Sequence, residues 1–143
     1  MTPQADEIIN WDAFAETRSV LGESFVRVLG YFREDGTKSV AEIETAMRER
    51  NSAKLVLPAH TLKGEGFQFG AEKLGVLAEE IEVAARHYVE IRQDPEELLE
   101  KVVQLRPLFE RTIAALEAEA SPLVERRAAF GSRTMGNSQF SRF

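Results

Sequence analysis

The chain has 143 residues, 43% of them hydrophobic and 29% charged, which is the size and composition of one globular domain. Its formal net charge of −6 argues against a nucleic-acid-binding protein that relies on neutralising phosphates. The absence of cysteine excludes disulfides, iron–sulfur clusters and cysteine-based zinc sites. No run approaches the about 18–20 apolar residues that span a bilayer, and segment 1–10 is too polar for a secretory signal. We therefore expect a cytoplasmic protein that binds neither nucleic acid nor membrane.

The first two predicted helices follow from capping residues and helical spacing of apolar residues. Asn10 can cap a short helix that carries Trp11 and Phe14 on one face. The spacing of apolar residues then predicts a long helix from residue 23 to residue 47. Asp35 and Gly36 interrupt it and are compatible with a turn, but the apolar phase continues across them, so we expect one continuous helix.

The third and fourth helices are separated by a glycine. Asn51 can cap the third helix, which contains Pro58. Because proline removes a hydrogen bond inside a helix, this helix is either kinked there or begins near Leu57. Gly70 marks the next turn, and a fourth helix follows over residues 71–88.

The last helix has a strong start signal in Asp94, Pro95 and Glu97, which resemble a capping box, and Pro107 predicts a kink within it. No alternating pattern typical of a strand persists anywhere. Long amphipathic helices joined by short links predict an all-α fold, an antiparallel up-down four-helix bundle over residues 1–120 with the short N-terminal helix packed on it.

Residues 121–143 have a different composition, rich in glycine, serine and arginine. Four arginines and one glutamate give this tail a net charge of +3, which leaves −9 for residues 1–120. Flexible tails are common at termini. The tail also holds Phe130, Phe140 and Phe143, so it is either flexible or packed on the acidic bundle or on another copy.

His60 is one of only two histidines. The helical spacing of apolar residues in the third helix predicts that the His60 side chain points outward. Residues three and four apart share a helix face, so Lys63 and Gly64 lie beside His60. The same spacing places Val56 and Phe67 on this exposed stripe. The opposite face carries the buried stripe, which consists of Leu55, Ala59, Leu62, Gly66 and Phe69.

Two glycines in this helix need an explanation, since each costs about 0.8–1 kcal/mol relative to alanine inside a helix. One explanation is that the helix ends near Gly64, and another is that Gly66 allows a neighbouring helix to pack closely. Gly64 lies on the His60 face, where close approach by another molecule explains it better.

The run A-H-T-L-K-G at residues 59–64, followed by G-A-x-x-L at residues 70–74, resembles the signature of histidine-containing phosphotransfer (HPt) domains. The surrounding helices also fit this family over residues 10–120. HPt domains are helical bundles that relay a phosphoryl group between aspartates of response-regulator receiver domains. The resemblance therefore implies a phosphorelay carrier, with receiver domains, including those of hybrid histidine kinases, as partners.

The resemblance also implies roles for individual residues. His60 is the phosphoacceptor, Lys63 supplies positive charge near the phosphoryl oxygens, and Gly64 keeps the ring accessible. Phe67 stands where the family usually has a small residue, so it is either an exposed docking residue or part of the core. The residues expected to contact the partner are Val56, Thr61, Phe67 and Gln68.

Other functions are less well supported by the sequence. His87 is expected to have no role beyond its place near a helix end, and the two histidines lack further ligands for a metal. Glu79, Glu80 and Glu82 are expected on a solvated face, where Glu80 or Glu82 can pair with basic residues. A scaffold that binds signalling partners without chemistry remains the alternative, and a hydrolase that uses His60 as general base ranks below it.

We expect no autonomous kinase activity, because no glycine-rich nucleotide-binding element is present. No cofactor of its own is implied, since the Mg²⁺ that shields the phosphoryl group is expected on the partner receiver. A monomer is expected.

Overall fold

The structure, a computed structural model, describes residues 7–120, and all regular secondary structure in this part of the chain is helical, with no strand. The predicted all-α class is therefore confirmed. The predicted tail at 121–143 lies outside the described residues. Two single 3₁₀ turns, at Gly22–Ser24 and Glu96–Leu98, precede the second and fifth helices. The five helices are α1 (Trp11–Leu21), α2 (Phe25–Arg48), α3 (Ser52–Gln68), α4 (Glu72–Glu90) and α5 (Leu99–Ala120).

Helices α2 to α5 form the predicted antiparallel bundle, in which each packs against its neighbours along the chain and α5 closes the bundle against α2. Two ion pairs show the opposite directions of α2 and α5. Arg33 Nε lies 3.0 Å from Glu117 Oε2 near one end, and Arg106 Nη2 lies 2.8 Å from Glu44 Oε1 towards the other.

Helix α1 packs on the bundle through a chain of phenylalanine rings. Phe14 of α1 meets Phe25 edge to face at 5.3 Å between ring centroids, and Phe25 meets Phe69 at 5.8 Å. Phe32 stacks on Phe69 at 5.3 Å and meets Phe109 at 5.9 Å. Such aromatic pairs each add about 0.5–1.5 kcal/mol beyond area burial, so they tie α1, α2, α3 and α5 into one core.

Helix α2 is continuous, as the sequence predicted. Gly36 is a buried position inside it rather than part of a turn. A Cβ atom at Gly36 would collide with the Phe109 ring, so this glycine makes room for an aromatic side chain of α5.

Helix α3 starts at Ser52, so the alternative start near Leu57 is wrong. The side chain of Asn51 accepts a hydrogen bond from the Lys54 amide at 3.1 Å, and the helix runs on through Pro58. The reason is that Asn51 satisfies the first turn and tertiary packing buries Pro58, which together outweigh the missing proline hydrogen bond.

The fifth helix also differs from its predicted start. Asp94 Oδ1 accepts from the Glu96 amide at 3.1 Å, but only a 3₁₀ turn follows, and α5 begins at Leu99. Glu97 does not complete a capping box, because its Oε1 accepts from the Tyr88 hydroxyl at 3.1 Å.

The turn between α3 and α4 needs glycine at Gly70, whose φ of 80° lies in the left-handed region. Its carbonyl accepts from the Asn10 amide at 2.7 Å, which joins the start of α1 to this turn. A Cβ added at Gly66 would lie 3.3 Å from the Gly75 amide nitrogen, so α3 and α4 approach closely here. The sequence-based explanation of Gly66 by close helix packing is confirmed.

Candidate functional site around His60

His60 lies on the outer face of α3, opposite the buried Leu55, Ala59 and Leu62. Its side chain is 55% exposed, so the imidazole is open to solvent while its helix is held by the core. The outward direction predicted from helical spacing is therefore correct. The fully buried residues on the opposite face anchor the helix that carries His60.

Glu82 of α4 lies directly beside His60, and the sequence analysis missed this contact. Glu82 Oε2 is 3.0 Å from His60 Nδ1, and Lys63 Nζ is 2.9 Å from Glu82 Oε1. Arg86, one turn further along α4, approaches the same Oε2 with Nη2 at 2.8 Å and Nε at 3.1 Å. A carboxylate that contacts three basic side chains connects the imidazole to both cations.

The prediction that Glu82 lies on a solvated face is wrong, because its side chain is only 5% exposed. Its pairing with basic residues was anticipated. The helical spacing in the sequence indicates the burial of Glu82, because Glu82 follows buried Ala78 by four residues and precedes buried Ala85 by three. An acid in that register is buried, and a buried carboxylate needs partners.

The protonation state of Glu82 follows from two opposing effects. Burial by itself raises the pKa of Glu82, but hydrogen bonds from Lys63, Arg86 and His60, together with the charge of Lys63, outweigh it and lower the pKa to about 2. Glu82 is therefore ionised at neutral pH and can only accept hydrogen bonds. A neutral His60 beside it must carry its proton on Nδ1, which leaves the lone pair on Nε2.

The immediate surroundings of His60 carry a surplus of positive charge. Lys63 and Arg86 contribute two positive charges and Glu82 one negative charge, so the cluster is net positive beside the imidazole. Lys63 has three N–H donors, and its contact with Glu82 leaves others for an anion. This electrostatic arrangement favours an approaching anion.

The surface beside His60 is open at Gly64. A Cβ added at Gly64 would meet nothing within 4 Å, and Gly64 lies inside α3 rather than at its end, so the alternative that the helix ends there is wrong. Two exposed apolar residues are Leu57, one turn before His60 on α3, and Val83, which follows Glu82 on α4. We call Leu57, Gly64, Phe67 and Val83 the His60 rim.

The sequence left open whether Phe67 is an exposed docking residue or part of the core, and the structure shows features of both. It is 39% exposed, and a Cβ added at Gly75 would lie 2.7 Å from its ring, so one side of the ring rests on α4. The absence of a side chain at Gly75 thus allows the Phe67 ring to lie against the backbone of α4 while the residue stays partly exposed.

The remaining predicted contact residues lie in different environments. Val56 is half-buried and packs on the core, so only part of its side chain lies on the predicted exposed stripe. Thr61 is half-buried on the side of the helix. Gln68 is exposed at the end of α3, and its carbonyl accepts from the Thr17 hydroxyl at 2.5 Å.

Outside this cluster the described residues offer few other sites. His87 is exposed at the end of α4, with its ring 6.0 Å from that of Tyr88. Within residues 7–120, no group of three or more histidine, aspartate or glutamate side chains is arranged to hold a metal ion. Over the same range, no helix combines the length and the apolar character that crossing a membrane requires.

Comparison with known proteins relates this fold to one family. The family profile described as the Hpt domain matches residues 27–119. Among solved structures, histidine-containing phosphotransfer protein B (HptB) from Pseudomonas aeruginosa PAO1 is similar, with a TM-score of 0.68, 20% identity and coverage of 78% of this chain and 93% of that chain.

The HPT domain of the Hpt sensor hybrid histidine kinase from Shewanella is also similar, with a TM-score of 0.67 and 20% identity over 80% of this chain and 95% of that chain. A comparison with curated protein sequences gave no match.

Proposed function

Because this chain belongs to the Hpt domain family and is in general terms a phosphorelay carrier, we propose that His60 accepts a phosphoryl group from a receiver-domain aspartate and passes it to another receiver. One observation carries the assignment. The exposed imidazole has its Nδ1 held by the buried, ionised Glu82, so the nucleophilic lone pair lies on Nε2.

The proposed step is an in-line displacement at phosphorus. His60 Nε2 forms a bond to the phosphorus atom of the partner's aspartyl phosphate, and the bond between that phosphorus and the aspartate oxygen breaks, which leaves the aspartate as a carboxylate. Positive charge develops on the imidazole, and Glu82 stabilises it through the Nδ1–H. Lys63 stabilises the phosphoryl oxygens. The reverse sequence transfers the group to the second receiver.

The partner is proposed to dock on the His60 rim. Gly64 lets the receiver approach the imidazole, and Leu57, Phe67 and Val83 supply apolar contact around it. Thr61 and Gln68 lie on the flank of α3 and are proposed as peripheral contacts. Mg²⁺ is supplied by the receiver, so the chain needs no cofactor of its own, and we propose that it acts as a cytoplasmic monomer without kinase activity.

The test is phosphoryl transfer from a phosphorylated receiver domain to the wild-type chain, to His60→Gln and to His87→Gln. We expect label on the wild type and on His87→Gln, which is a matched control because His87 is also exposed and helical. The label is expected to be lost in acid, as a phosphoramidate is. Labelling of His60→Gln contradicts the assignment of His60, whereas receiver binding without labelling of any variant supports a scaffold instead.

A further inference from the structure

A groove between α1 and the end of α5 has no role in the proposed phosphotransfer. It encloses about 490 Å³ and is lined by Trp11, Phe14, Ala15, Arg18, Ser19 and Glu119. Phe14 is buried and forms its floor, while Trp11 is 37% exposed and forms a wall. The Arg18 guanidinium lies 6.0 Å from the Phe14 ring centroid and 5.6 Å from that of Phe25. The lining therefore suits an aromatic or aliphatic side chain.

The end of α5 is held at this groove. Arg18 Nη1 donates to the Glu119 carbonyl at 3.3 Å, and Ala120 is the last described residue. The described part of the chain therefore ends at the edge of the groove. In the sequence, Pro122 comes two positions later, and a proline disfavours helical backbone angles at the residue before it.

The sequence after Ala120 complements both the shape and the charge of this surface. Phe130 is the first aromatic residue of the tail, ten positions beyond Ala120, so it can reach the groove through a short loop. Arg126 and Arg127 lie between them. Trp11 also lines a second groove, whose charged residues are the carboxylates of Glu7, Asp12 and Glu72 and one lysine, Lys73, so its lining is net negative.

We propose that residues 122–130 of this chain dock on α1, with Phe130 in the groove against Trp11 and Phe14 and the two arginines on the carboxylates beyond Trp11. Occupancy by the chain's own segment is favoured over a separate molecule, because a short connection gives a high effective concentration. The opposite net charges of the tail (+3) and of residues 1–120 (−9) also favour docking of the tail on its own chain.

Trp11 is the only tryptophan of the chain and therefore reports on this groove directly. The experiment compares Trp11 fluorescence and acrylamide quenching in the full chain, in Phe130→Ala and in Phe140→Ala, with circular dichroism to verify folding. We expect Phe130→Ala to shift emission to longer wavelength and to lose protection from quenching. Phe140→Ala is the matched control, with an aromatic removed from the same tail, and should keep the wild-type signal.

Three outcomes overturn the proposal. One is identical Trp11 fluorescence in the wild type and Phe130→Ala, and a second is a loss of protection in Phe140→Ala instead. The third is a wild-type signal that changes over a roughly hundredfold range of protein concentration, which indicates docking of a second copy. Added salt should weaken the protection, since ion pairs at the surface are screened.

Discussion

At the scale of single residues, the contact between Glu82 and His60 determines which imidazole nitrogen can react. An ionised carboxylate only accepts, so it selects the tautomer with hydrogen on Nδ1. A glutamine at the same place can accept or donate, because its amide carries both an oxygen and an NH₂ group. When it donates to Nδ1, the proton moves to Nε2 and the nucleophilic lone pair is lost.

We therefore predict that Glu82→Gln slows phosphoryl transfer about 10-fold or more, by analogy with metal-ligating histidines, for which loss of the partner that orients the ring costs about 10–100-fold. The measurements are the transfer rate and the ¹⁵N chemical shifts of the His60 imidazole, which distinguish the two tautomers. Both should change together if Glu82 acts through the tautomer.

The control for this variant is Glu79→Gln, which removes an exposed carboxylate from the preceding turn of α4 and alters the net charge equally. It should leave the imidazole shifts and the transfer rate at their wild-type values. An equal loss of rate in both variants points to net charge rather than to the contact with His60.

At the scale of elements, helix α3 combines a rigid inner face with an open outer one. Gly66 contacts α4 closely, whereas a Cβ at Gly64 would meet nothing within 4 Å. We predict that Gly64→Ala raises the free energy of unfolding by about 0.4–1 kcal/mol, because alanine restricts the unfolded chain and fits this helical position. We also predict slower transfer, since the added methyl group crowds the approach to His60.

Gly30→Ala is the matched control for that variant. Gly30 is likewise inside a helix, and a Cβ added there would also meet nothing within 4 Å, but it belongs to α2. Urea unfolding and transfer rates are the measurements. Gly30→Ala should gain similar stability without any change in transfer, and full-speed transfer by Gly64→Ala shows that access to His60 does not depend on this glycine.

The position of Phe67 between α3 and α4 predicts two effects of one substitution. Because its ring is partly exposed and rests on Gly75, Phe67→Ala should lower the free energy of unfolding by less than the about 3–5 kcal/mol of a core phenylalanine. It should also weaken receiver binding by about 2 kcal/mol if Phe67 is a central docking residue. Calorimetric titration with a receiver and urea unfolding measure the two effects.

Leu99→Ala is the control for Phe67→Ala, since Leu99 is exposed at the start of α5. It should leave receiver affinity unchanged. If the folded Phe67→Ala chain binds the receiver with wild-type affinity, Phe67 is not a docking residue.

At the scale of the whole molecule, local signals in the sequence predicted the helices well, because caps and apolar spacing act within a few residues. The Asn10 and Asn51 caps are examples. The contacts that complete the site were harder to predict, because they join residues far apart in the chain. Glu82 looked solvated among neighbouring acids, and nothing local to Phe67 indicated that Gly75 would lie beneath its ring.

The stability of the bundle should depend on pH through carboxyl groups whose pKa values shift in opposite directions, and Glu65 and Glu82 have the largest shifts among the described residues. Burial, the charge of Asp35 and a hydrogen bond with Asp35 raise the pKa of Glu65 to about 7. The folded chain then holds a proton that the unfolded chain, with an ordinary pKa of about 4.5, has released, so stability falls as pH rises from about 4.5 to about 7. For Glu82, with a pKa of about 2, stability is instead lost as pH falls from about 4.5 to about 2.

We predict that Glu65→Gln removes the decline above pH 4.5, because its amide has no proton to release, and that the variant is more stable than the wild type at pH 8. Asp35→Asn should reduce the same decline by removing the neighbouring charge. Glu82→Gln should leave that decline in place and reduce only the loss of stability on the acid side, where Glu44, whose pKa is also lowered, still contributes. Urea unfolding of the four proteins from pH 3 to pH 8 measures these slopes. If the decline in stability above pH 4.5 persists unchanged in Glu65→Gln, another titrating group causes it.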